Sequence, residues 1–180
     1  VAQSEWREQA SNQIWFLKSV AEARSEMISA FNNIKAGQQK QGWDQLERVE
    51  IALLWVTKNP FLSLEEYRVG ELSVMVERWQ SLFPYKVFLS PEFIIKGEEC
   101  SICDEVIGPW STCEHEPGKV YRGELCHRRV KDMAMGGIAF VLDPVQKYSV
   151  AMASAPGEPD PMDYRMVNWV ADRVTGPFAV

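Results

Sequence analysis

Every cysteine and both histidines of this 180-residue chain fall within residues 100 to 127, CSICDEVIGPWSTCEHEPGKVYRGELCH. Cys100 and Cys103 form a C-x-x-C pair. That spacing lets two thiolates face one ion at about 2.3 Å while the intervening backbone amides turn toward the sulfurs. Cys113 and His115 follow at i and i+2, which on a strand would direct both side chains to one side. Pro117-Gly118 reads as a turn, 119 to 121 as a strand that Gly123 breaks, and Cys126 as the start of a helix. A thiolate there would gain from the positive helix end. The chemistry implied is metal binding, and the expected ion is Zn2+, because the spacing matches neither common ferredoxin pattern. Cys100, Cys103 and Cys126 are the primary ligand candidates. Cys113 or His115 supplies the fourth donor, with a slight preference for the all-cysteine set. His127 adjoins a ligand and should point away. Four or more protein donors favour a closed structural site over one that keeps a position for water.

The elements that must hold this window divide the chain into three parts. Residues 1–82 are expected to be helical. Apolar residues at Ile14, Leu17, Val20, Ala21, Met27, Ile28, Phe31 and Ile34 predict a helix over 5–36, stopped by Gly37. A second helix is expected over 39–58, with Trp43, Leu46, Val49, Leu53 and Val56 as its stripe and Asn59-Pro60 as its end. Ser63 and Glu66 form a capping box opening a third helix over 64–80, with Tyr67, Leu72, Met75, Val76 and Trp79 inward. Residues 83–153 read as a small α/β module: strands at 85–89 and 92–95, the Cys/His window, a short helix over 125–134, and a hairpin of 138–142 with 147–152. Residues 154–162, SAPGEPDPM, read as a linker. A last helix over 163–174 carries Met166, Val167, Val170 and Val174. The fold class is therefore α+β: a helical hairpin and third helix packed on a zinc-centred module, with a C-terminal helix.

The run CxIC, then CxH, then PGxxYxGxxC resembles a zinc-binding cassette of tailed-phage head-assembly proteins of the prohead-protease type and of bacterial proteins. The segment 137–144, GIAFVLDP, is similar to the strand that follows the cassette there. The resemblance covers residues 86 to 152. It implies a metal-binding fold and a phage or prophage origin. It does not extend to the protease's catalytic residues, since both histidines lie inside the cassette.

Enzymes built from similar parts fit less well. An HNH-like metal-dependent nuclease is the alternative, resting on Glu114-His115-Glu116-Pro117 and Leu125-Cys126-His127-Arg128-Arg129. The span between them is short and lacks the Asn or His that would hold a catalytic metal. A zinc deaminase is excluded by order, because its His-x-Glu precedes the C-x-x-C. A Cys113/His115 nucleophile pair requires the cysteines to be free of metal. A net charge of -6 and scattered basic residues argue against a dedicated nucleic-acid binder. The longest apolar run, Ile51 to Val56, is too short to span a membrane. The polar opening VAQSEWREQA shows no secretion signal, and clustered cysteines then favour metal over disulfides, so a cytoplasmic location is expected. Seven tryptophans predict a sizeable core. The expected role is binding to a protein partner, with Zn2+ holding the module together.

Overall fold

The computed structural model describes residues 2–110, 112–152 and 160–179, and the side chains from residue 5 onward. The architecture is α+β, with four α-helices, α1 (Ala2–Lys35), α2 (Gln39–Lys58), α3 (Val69–Ser81) and α4 (Arg165–Arg173), around which five strands are arranged. These are β1 (Phe88–Cys100), β2 (Val106–Ile107), β3 (Val120–Tyr121), β4 (Glu124–Leu125) and β5 (Arg128–Val141). Among the described residues no helix is long and apolar enough to cross a membrane.

Helices α1 and α2 form an antiparallel hairpin. Gly37 takes φ +79, and the amides of Gly37 and Gln38 bond back to Ile34 and Asn33 carbonyls, which closes α1. The two helices approach closely at Gly42, where a Cβ would lie 2.6 Å from Ile34. All five residues of the α2 stripe are buried, as their spacing requires. The α1 face is rotated from expectation. Its buried apolar residues are Phe16, Val20, Ala23, Met27, Ala30, Phe31 and Ile34, while Ile14, Leu17, Ala21 and Ile28 are exposed. Both sets have helical spacing, and contact with α2 and α3 selects between them.

The third helix begins later than the capping box suggests. Ser63 Oγ does accept the Glu66 amide at 3.1 Å, but residues 64–68 form turns and Arg68 enters the left-handed region at φ 51 before α3 starts. Helix α4 buries Val167 and Ala171, and Trp79 Nε1 donates to the Pro177 carbonyl at 2.7 Å, which ties the C-terminal segment to α3. Residues 154–159 of the expected linker lie outside the described residues.

The β-structure departs most from the sequence reading. Residues 88–100 form one continuous strand through Pro91, and 128–141 form its long antiparallel partner, so the helix expected over 125–134 is a strand. The 138–142/147–152 hairpin does not form. Residues 138–141 pair with β1, and the returning chain lies on the other side of Phe88, through Leu89 N to Ser149 O at 2.7 Å and Ala151 N to Val87 O at 2.9 Å. Strand β2 adds a short third strand at the Cys100 end.

The returning chain is clamped by α2. Trp43 Nε1 donates to the Lys147 carbonyl, the Lys147 amide donates to Glu47 Oε1 at 2.8 Å, and Lys147 Nζ pairs with Glu50. Glu47 is 1% exposed, and burial, only partly offset by the Lys147 amide, raises its carboxyl above the usual range. A carboxyl raised in the folded state favours folding while protonated, and that contribution is lost as pH rises from the unfolded value through the folded one. Glu47→Gln is therefore expected to flatten the fall in stability above about pH 4.5, the ordinary carboxyl value. Urea midpoints measured from pH 4 to 8 check this.

Candidate metal centre

The cluster forms where β1 ends and β5 begins. Cys100 is the last residue of β1, is fully buried and pairs in register with Arg128. The chain then turns back, with the Asp104 amide bonded to the Cys100 carbonyl at 3.0 Å and Asp104 at φ 60. This turn brings the Ile102 amide to 3.4 Å from Cys100 Sγ, as a metal-binding knuckle requires. Arg129 holds the turn from outside, donating to the Cys100 carbonyl and to the Asp104 carboxylate.

Residues 112–116 are not strand, so Cys113 and His115 reach the site from a loop. Donor atoms of Cys100, Cys103, Cys113 and His115 lie within 4.8 Å of one another, and this group could hold a metal ion. The fit is supported by His115, whose Nδ1 is buried without a hydrogen-bond partner. Its ring stands edge-on to Tyr121 at 4.7 Å, and Tyr121 Oη accepts the Glu116 amide, which fixes the loop. Cys126, expected from the sequence as a primary ligand, is not one of these four. It lies between β4 and β5 rather than at a helix start, so the helix-dipole argument does not apply, and its Sγ is 3.9 Å from that of Cys100. His127 is exposed, with Nδ1 3.3 Å from the Leu125 carbonyl.

The electrostatics centre on Cys100. Burial pushes its thiol up, but the amides of Ile102 and Cys103 and the thiols of Cys113 and Cys103 outweigh this and bring it down to about 6. Cys126 moves the other way, to about 11, through burial and the bond it shares with Cys100. Arg128 spans the loop, with Nη1 3.7 Å from Cys113 Sγ and Nη2 donating to the His115 carbonyl at 3.2 Å. Arg128 and Arg129 thus brace the cluster, while Lys131 pairs with Glu99.

The contacts that dock the cluster on the helices were not legible in the sequence. Asn59, read as a helix end, is buried; its Nδ2 donates to the Gly118 and Trp55 carbonyls and its Oδ1 accepts the Val120 amide at 3.2 Å. Asn12 Oδ1 accepts the Gly123 amide at 2.7 Å. Gly118 has φ +84, and a Cβ there would lie 2.7 Å from the Trp55 ring, so both backbone shape and space require glycine. Cys126 is then bonded across the β3–β4 hairpin to both Gly118 and Lys119, its carbonyl accepting the Gly118 amide and its amide donating to the Lys119 carbonyl.

No family model, no curated protein and no solved structure matches the chain.

Two outcomes are expected. Asn59→Ala leaves a buried carbonyl and amide unpaired and should cost about 2–3 kcal/mol of stability in chemical denaturation. Arg128→Met removes the group that orients Cys113 and His115 and should weaken metal retention roughly 10-fold in chelator competition, with the helical circular dichroism unchanged.

Proposed function

We propose that the chain is a zinc protein whose metal is structural and whose role is to bind another protein. The observation that carries the reading is the convergence of Cys100, Cys103, Cys113 and His115 within 4.8 Å. Three sulfurs and one imidazole suit a tetrahedral zinc site closed to substrate. His115 is preferred as a ligand because its buried Nδ1 has no other partner. Cys126 then packs behind Cys100. The ion links the turn after β1 to the loop before β3, segments that otherwise share few backbone hydrogen bonds. Metal binding is thus folding energy for this region. The cassette's likeness to phage head-assembly proteins supports an accessory binding role in the same direction. A nuclease would need His115 free to act on substrate, whereas here it faces cysteine sulfurs.

Elemental analysis of protein purified without added metal is expected to give about one zinc per chain, with thiols unreactive until a chelator removes it. Cys103→Ser and His115→Ala should lose the ion, and Cys126→Ser should keep it. Loss from Cys126→Ser with retention in His115→Ala would assign the site to four cysteines instead. Metal-free protein with freely reactive thiols would overturn the zinc reading. Magnesium-dependent DNA cleavage abolished by His115→Ala, with zinc and fold retained, would replace binding by nuclease chemistry.

A further inference from the structure

The β1–β5 ribbon presents an apolar face with nothing packed on it among the described residues. Cross-strand partners share a face, and alternate residues along a strand return to it. Leu89 pairs with Phe140, Pro91 with Ile138, Phe93 with Met135 and Ile95 with Met133. These pairs would not all lie on one face in an unbroken ladder. Gly136 is the extra residue at the register shift between Glu92 and Phe93, and it resets the alternation so that both methionines join Ile138 and Phe140. The opposite face carries Ser90, Glu92, Ala134, Gly137 and Ala139, with Ile94 its one large apolar residue between Ser90 and Ile95, away from the end where Phe88 and Val141 pack on the helical core.

Of the large residues on this face Leu89 is half-buried and the other six, Phe93, Ile95, Met133, Met135, Ile138 and Phe140, are exposed, Phe140 by 73% and Met135 by 64%. At about 200 Å² per full side chain they leave on the order of 700 Å² of apolar surface in water. The largest patch on an ordinary monomer is roughly 300–600 Å². A standard interface takes about 800 Å² from each partner.

We propose that this face is a homodimer interface, on which the ribbon of a second copy packs face to face about a twofold axis. The inference rests on the reading of the chain as an interaction module, and it names the partner. Three features favour a second copy. The exposed area matches what one side of a stable dimer contributes. From Leu89/Phe140 to Ile95/Met133 the cross-strand pairs of this face include no charged side chain, so two chains of net charge -6 meet there without like charges opposed. An isolated two-stranded ribbon is marginal in water, and an identical ribbon covers this stretch as a four-stranded sandwich.

Sedimentation equilibrium on the full chain at tens of micromolar tests this. The expected mass is twice 20.6 kDa. Phe140→Glu and Met135→Glu should each give the monomer mass, while Ile94→Glu, on the other face, should remain dimeric. Zinc content and helical circular dichroism are read on every sample, so a variant that fails to fold is recognised and the metal reading stands or falls separately. A monomeric wild type overturns the proposal. If that monomer floats with phosphatidylcholine vesicles the face is a membrane contact, and if it does not the face belongs to a different protein. A dimer that survives both face variants with fold intact also overturns it.

Discussion

The crowding of Cys100, Cys103, Cys113 and His115 at the root of the β1–β5 ribbon is the constraint on which the non-helical half depends. Cys100 ends one long strand and Arg128 begins the other, and the register that pairs them closes around the chain between. Among the described residues that chain has only two-residue strands and a few turns. Backbone bonds such as Ser101 N to His127 O and Gly118 N to Cys126 O order it in part, and the side chains that converge between them are ones that could hold a metal ion.

Polar contacts then attach the cluster to the helices. Asn59 satisfies groups on both sides of the junction, capping α2 at Trp55 while bonding to Gly118 and Val120. Asn12 performs the same task at Gly123. Two buried amides bonded to backbone specify orientation more strictly than an apolar contact would, because any displacement leaves donors and acceptors unpaired in a dry site. The position of the Cys/His cluster relative to the helical body is therefore held by these amides.

At its far end the ribbon is anchored by aromatic packing rather than by hydrogen-bonded amides. Phe88 stacks with Trp43 at 6.2 Å, and Trp43 also meets Phe83 and Tyr85 edge-on. The clamp on Lys147 passes through the same tryptophan. One residue of α2 thus joins the helical core, the ribbon and the returning chain, and the three segments of sequence contribute to one continuous core.

By itself the sequence determined the α+β class, the extents of α1, α2 and α4 to within a few residues, and the window that holds every candidate donor, but not which four of them converge. Helical periodicity is a local signal, and soft donors confined to one window leave few alternatives. Tertiary structure decided the rest. Residues 128–135, RRVKDMAM, have side chains compatible with a helix, and only pairing with β1 makes them a strand. The face of α1 that enters the core, the bulge at Gly136 that gathers the apolar residues of the ribbon, and the partners of Asn59 all depend on residues distant in sequence. Neither propensity nor spacing carries such information, because a strand's hydrogen bonds and a buried amide's partners lie outside the segment itself.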